Sequence, residues 1–192
     1  MIYGFKQSEL DGTEYQFIAD VQKLPKEFSY MKSLPKAINQ GSSPTCVPCS
    51  ISCFIDWQND LYGEHKEFDI KKVFKEAGGQ DDGMTFKDAL KYVRKQGSIK
   101  SYAMVGSILQ LQHALVINGP CIGGLPVKDS SVTHFWNPDI SGFEGGHAIA
   151  IVGYDEEGFI IRNSWGTGYG DQGYAHLSYE DFSQFYEIWT LM

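Results

Sequence analysis

Gly145-Gly146-His147-Ala148-Ile149-Ala150-Ile151-Val152-Gly153-Tyr154 and, one turn later, Arg162-Asn163-Ser164-Trp165-Gly166-Thr167-Gly168-Tyr169-Gly170 are the stretches from which the fold is read. His147 opens an apolar run with the composition of a buried strand. Asn163 ends the next such run, and Asp155-Glu156-Glu157-Gly158 between them has the makings of a hairpin turn. Hairpin pairing therefore lets His147 and Asn163 lie side by side. With Cys46 far upstream, they supply a thiol nucleophile, an imidazole base and an amide that holds the imidazole's tautomer.

The rest of the chain sets limits on what surrounds this trio. Its 192 residues suffice for one compact domain, or for two small lobes sharing a cleft. A net charge of −8 argues against a nucleic-acid partner, which would call for a basic stripe. No apolar run approaches the ~20 residues of a membrane span, so no membrane partner is expected. The stretch Met1–Glu9 lacks the charged start and apolar block of a signal peptide. Cys46, Cys49 and Cys53 crowd one segment and Cys121 sits in an apolar run, a poor disulfide framework. The expected setting is cytoplasmic or otherwise reducing, and the expected state is a monomer.

Outward from the central stretches, helices come first and strands second. Residues 1–23 form a leader of mixed polar and aromatic character, and Leu24 to Gly41 read as loop. A helix is expected over Cys46–Asn59, with Thr45 as its cap and Pro48 in the first turn. Further helices are expected over Ile70–Ala77, over Thr85–Gln96 from a capping-box start at Thr85-x-x-Asp88, and from Ser107 to Asn118. Strands are expected at Cys121–Val127, His147–Tyr154, Phe159–Asn163, Gly173–Leu177 and Tyr186–Leu191, with a short helix at Tyr179–Gln184. This order predicts an α+β fold, with a helical lobe over about 40–118 and an antiparallel β lobe over about 119–192. The active-site cleft lies between them, with Cys46 facing His147 and Asn163.

At the start of a buried helix, the Cys46 sulfur meets the positive end of the helix dipole, which favours the thiolate. Taken alone, Cys46 also reads as a small buried hydrophobe like Cys49 and Cys53, His147 as a core histidine, and Asn163 as a turn residue. Trp165 tips the reading, because an indole there covers a His147–Asn163 hydrogen bond against water.

Gln40-Gly41-Ser42-Ser43-Pro44-Thr45-Cys46, Gly146-His147-Ala148 and Asn163-Ser164-Trp165-Gly166 resemble the papain/cathepsin family of cysteine peptidases, in the same order along the chain. The resemblance begins near Leu24-Pro25 and runs to the C-terminus. It implies a papain-like fold and thiol-dependent peptide hydrolysis without cofactor or metal, on a peptide or protein substrate. In it Cys46 attacks, His147 moves protons, Asn163 orients His147, and Gln40 joins the Cys46 amide in an oxyanion hole. It also implies that Gly79 to Met84 line the cleft, with Gly83-Met84 in place of a Gly-Gly pair. Met84, Phe86, Gly145 and Gly146 become candidates for the pocket on the N-terminal side of the cut, and Met84 and Phe86 read equally well as core. Trp165 completes the substrate-binding candidates.

This chain departs from the family pattern at Ser43, which removes a disulfide cysteine, and at Val47, which replaces an aromatic ring. His147 follows Cys46 by fewer than the family's usual ~130 residues, so the chain resembles compact bacterial or viral members. Residues 1–23 carry no helical inhibitory segment and are expected to pack on the body as extra structure, through Tyr3, Phe5, Tyr15, Phe17 and Ile18. Lying across the cleft is the alternative. Three rival readings remain at this point: a metal or redox site of Cys46, Cys49, Cys53 and His65; an inactive relative that only binds peptides; and a peptide ligase or amidase on the same scaffold.

Overall fold

The computed structural model describes residues 3–19, 23–65, 67–127 and 145–192. Helix α1, Cys46–Tyr62, ends at Gly63, whose left-handed backbone (φ 61°) returns its N–H to the Asn59 carbonyl. Helices α2 (Ile70–Glu76), α3 (Phe86–Lys95) and α4 (Ile108–Asn118) follow. Thr85 caps α3 by accepting from the Asp88 amide at 3.1 Å, and its hydroxyl donates to the Asp88 carboxylate at 2.7 Å. Ser107 caps α4 through the Gln110 amide. Thr45 does not cap α1 as expected, since its hydroxyl lies along the helix at 3.8 Å from the Cys49 sulfur instead of over the first amides.

The long strands are β5 (Cys121–Val127), β6 (Gly145–Tyr154), β7 (Phe159–Arg162), β8 (Tyr174–Leu177) and β9 (Glu187–Leu191). Four short ones join them: β1 (Phe5–Lys6), β2 (Phe28–Ser29), β3 (Met84–Thr85) and β4 (Tyr102–Met104). The main sheet order is β3-β1-β6-β5-β9-β4, with β2 and β7 also pairing with β6 and β8 with β7. The β6–β7 turn closes where the Asp155 amide meets the Gly158 carbonyl at 3.0 Å and the Asp155 carboxylate accepts from the Glu157 amide at 2.9 Å.

Two apolar clusters flank the central strand β6. One gathers Val47, Ile51, Phe54 and Ile55 of α1 with Val73, Phe86, Leu90, Val93 and Trp189. The other gathers Leu111, Ala114 and Leu115 of α4 with Leu125, Ile149, Ile161 and Leu177. The α+β class is therefore as read, but α4 packs with the β lobe although its sequence position groups it with the helices. Its buried face of Leu111, Ala114 and Leu115 finds its partners only on the strands. Arg162, 4% exposed, ties the long loop to the body by donating to the Pro35 and Lys36 carbonyls at 2.9 and 3.0 Å, and it stands 3.6 Å from Asp56 on α1.

Candidate active site

Cys46 is the first residue of α1, and β6 passes across that end of the helix. Its side chain is fully buried, and the backbone amides of Ala148, Gly4 and Val47 face the sulfur. The sequence reading favoured a lowered thiol pKa. Burial instead pushes it up to about 11, because desolvation of a thiolate outweighs the surrounding N–H groups. Gly4, in the segment from Tyr3 to Lys6, is one of the groups that cover it.

His147, on β6, holds its Nε2 2.8 Å from Asn163 Oδ1. The same Asn163 oxygen accepts from the Ser164 amide at 2.7 Å, which fixes the orientation of the carboxamide. Trp165 stacks on the imidazole, with centroids 4.7 Å apart and planes at 29°. Tyr169 meets the indole edge-on at 5.1 Å and stands against Asn163, its phenol pushed up to about 12 by burial. Burial draws the His147 imidazole down to about 4, so the ring rests neutral. Ser164 and Tyr169 were not singled out from the sequence, although both lie within the segment that carries Asn163 and Trp165.

Gln40 reaches this centre from the loop before α1. Its amide donates to the Ser164 carbonyl at 2.8 Å, and its Oε1 accepts from the Ser164 hydroxyl. The Oε1 contact turns Nε2, a two-hydrogen donor, toward the start of α1, where it donates to the Ser43 carbonyl at 2.8 Å. A carboxamide pinned against the loop that leads into α1 is the kind of preset donor that a developing oxyanion needs.

The remaining candidates form the walls on either side. Met84 and Phe86 are core residues, 3% and 0% exposed, and both also border the cleft where Phe5 lies; the Phe5 and Phe86 ring centroids are 5.1 Å apart. Gly83, with φ 108°, and Gly146 have no room for a Cβ, because Gly4 and Phe5 press against their backbones. Gly145 lies under Tyr3. Loss of the second glycine of the family pair does not prevent backbone pairing here: the Met84 amide donates to the Gly4 carbonyl at 2.8 Å while its side chain turns into the core.

The expected docking of the leader on the outside of the body needs correction. Met1, Ile2 and residues 20–22 lie outside the described residues. Of the rest, Tyr3 to Lys6 occupy the cleft, whereas Tyr15 and Ile18, expected to dock, are 74% and 86% exposed. The Cys46/Cys49/Cys53/His65 metal site also fails on geometry, since His65 is exposed beyond the far end of the 17-residue helix that Cys46 begins, roughly 25 Å away. Among the described residues, Asp155, Glu157 and His176 are the one set of potential metal-ligating side chains brought together. They stand at the β6–β7 turn, where Asp155 is already bonded to His176 at 2.8 Å.

The Cys46 thiol at a helix start, the His147 imidazole on β6, the Asn163 carboxamide bonded to it, the Trp165 indole stacked on it and the pinned Gln40 carboxamide are thus gathered around the start of α1 and the strand that crosses it. Residues 46–187 match the papain family of cysteine proteases (Peptidase_C1), and the chain belongs to that family. It is 44% identical to cathepsin O of Mus musculus over 151 residues, covering 69% of this chain and 43% of that protein. It is 25% identical to cathepsin F of Drosophila melanogaster over 208 residues, covering 81% and 33%. The chain thus spans less than half the length of these relatives. Among solved structures it is similar to xylellain, a cysteine protease from Xylella fastidiosa (TM-score 0.84, 21% identity, 98% of this chain and 95% of that one). It is also similar to procathepsin B S9 of Trypanosoma congolense (TM-score 0.81, 14% identity, 100% and 86%). Both likenesses show the papain-like fold.

Proposed function

We propose that the chain hydrolyses internal peptide bonds through a covalent acyl-enzyme on Cys46. The observation that carries this reading is the His147–Asn163 contact at 2.8 Å under Trp165, on the strand whose Ala148 amide faces the Cys46 sulfur. His147 takes the thiol proton, and the sulfur attacks the substrate carbonyl carbon. The oxygen, now negative, is held by Gln40 Nε2 and the Cys46 amide. When the C–N bond breaks, His147 gives its proton to the leaving amine. It then takes one from water, which opens the thioester and releases the carboxylate and the free thiol. Asn163 keeps the imidazole in register through both steps.

Endopeptidase action is supported by room on both sides of Cys46, where Tyr3 and Phe5 now lie. Four free cysteines and Ser43 in place of a disulfide cysteine support work in a reducing compartment. Membership of the papain family supports a peptide or protein substrate; a monomer is part of the same proposal. No described helix is long and apolar enough to cross a membrane. The test is cleavage of a peptide library under reducing conditions, mapped by mass spectrometry. Cuts within peptides, absent from Cys46→Ala, support the proposal, and removal of terminal residues alone would replace endopeptidase by exopeptidase action.

A further inference from the structure

Away from Cys46, two carboxylates converge on one imidazole nitrogen. His176, on β8, holds its Nε2 2.8 Å from Asp155 Oδ2 and 3.9 Å from Glu157 Oε2. The three ligand atoms all lie within 4.8 Å of one another. A ring nitrogen offers one hydrogen or one lone pair, so it serves only one of two anions. An ion pair between His176 and Asp155 accounts for the shorter contact and not for Glu157. A cation among the three atoms gives each of them a partner.

The spacing suits a small divalent ion. Ligands about 2.0–2.2 Å from a tetrahedral zinc stand about 3.3–3.5 Å from one another. The two distances from Nε2 bracket that separation, so side-chain shifts of about half an ångström seat the ion. The donor set also chooses between metals. One imidazole nitrogen with two carboxylate oxygens suits zinc and its first-row neighbours, whereas calcium and magnesium prefer oxygen alone.

The surrounding contacts hold Asp155 ready to ligate. Its Oδ1 accepts from the Glu157 and Gly158 amides at 2.9 and 3.3 Å, which aims Oδ2 at His176. Its backbone carbonyl accepts from the Tyr179 hydroxyl at 2.6 Å, and that hydroxyl accepts from Gln112 Nε2 of α4 at 3.3 Å. Outer contacts of this kind fix a metal ligand's orientation. His176 is set by the strand ladder, opposite Ile160 of β7. The Asp155 and His176 side chains are each 25% exposed and Glu157 57%, so the third ligand swings in from solvent onto a covered pair. A cavity of about 340 Å³, with Glu157, His176 and Asp171 on its wall, leaves space for water to complete the ion's shell.

We propose that Asp155, Glu157 and His176 bind a divalent first-row transition ion of zinc-like chemistry, which clamps the β6–β7 turn to β8. Ligation uses the Nε2 lone pair, so the ring proton sits on Nδ1 in the bound form. His147 lies near the other end of β6, roughly 25 Å away along the strand, and the ion takes no part in the chemistry at Cys46. Its effect is on the scaffold: β7 leads directly into Asn163, and β8 pairs with β7 as far as Arg162. The site does not depend on the peptidase reading.

The test uses the full chain carrying Cys46→Ala, which keeps added metal from the Cys46–His147 pair. Cobalt(II) is titrated for its visible spectrum and zinc for its effect on melting. One equivalent of cobalt is expected to bind, with ligand-field bands in the visible and no thiolate band in the near ultraviolet. Zinc at ~100-fold above its Kd is expected to raise the melting temperature by about 5–10 °C, and magnesium or calcium at the same concentration to leave it nearly unchanged. Glu157→Gln is expected to weaken cobalt binding about 100-fold and His176→Asn to abolish it, while the neighbouring Glu156→Gln binds as before. Should His176→Asn fail to fold, the exposed Glu157→Gln decides the question. Absence of the ligand-field bands, a thiolate band, an equal shift from magnesium or calcium, or zinc stabilisation kept in full by Glu157→Gln each overturns the site.

Discussion

Asn163 Oδ1 lies 2.8 Å from His147 Nε2, and the indole of Trp165 is stacked on the imidazole of that pair at 4.7 Å. The amide fixes which ring nitrogen carries the proton, and the indole excludes water that would compete for the bond. Replacing Asn163 with Ala is expected to lower kcat about 5- to 150-fold, the equivalent of losing one buried hydrogen bond of about 1–3 kcal/mol. His147→Ala is expected to abolish turnover. Equal losses in the two variants would contradict an orienting role for Asn163.

Trp165→Ala is expected to reduce kcat by wetting the same bond, with a smaller effect when Trp165→Phe preserves an aromatic face. An unchanged rate in a folded Trp165→Ala variant would show that the indole shields nothing.

Gln40→Ala should lower kcat about 10²- to 10³-fold with little change in KM, since an oxyanion donor acts on charge that develops only during reaction. Ser164→Ala, which frees the Gln40 Oε1 from its hydroxyl partner, should produce a smaller fall of the same kind. A raised KM at constant kcat in Gln40→Ala would make this side chain a ground-state binder.

The closed cleft also has a pH signature. His147 is held at about 4, below its usual 6.5, so the unfolded chain binds more protons between those values. Its contribution to stability is complete above about pH 6.5 and is lost as pH falls toward 4. Cys46, raised to about 11, works in the opposite direction: its contribution is complete below the ordinary thiol value near 9 and is lost as pH rises toward 11. Melting temperatures followed from pH 7 to 4 should fall less steeply in His147→Gln than in the unsubstituted chain. Identical slopes would place the acid sensitivity elsewhere.

What the sequence revealed and what it hid divide along local and non-local lines. The β6–β7 hairpin, the Thr85 and Ser107 caps and the helix start at Cys46 follow from neighbouring residues, and so did the placement of Cys46, His147 and Asn163. By contrast, β1 to β4 are two- and three-residue strands whose existence depends on partners far away, such as Phe5 with Met84 and Gly146. The leader's path through the cleft was open between two readings for the same reason. Gly4 looks like any glycine until Pro44 is seen against it. The Asp155–His176 contact and the packing of α4 on the strands likewise join residues that the sequence keeps apart.

The measurement that bears most directly on the account is peptide hydrolysis by the unsubstituted chain and by the same chain carrying Cys46→Ala, under reducing conditions and with both folds verified. The account predicts internal cleavage by the first and none by the second, while Cys49→Ala and Cys53→Ala keep most of the activity because of the three thiols on α1 only that of Cys46 stands at the helix start. Cleavage that persists in the chain lacking the Cys46 thiol would contradict it.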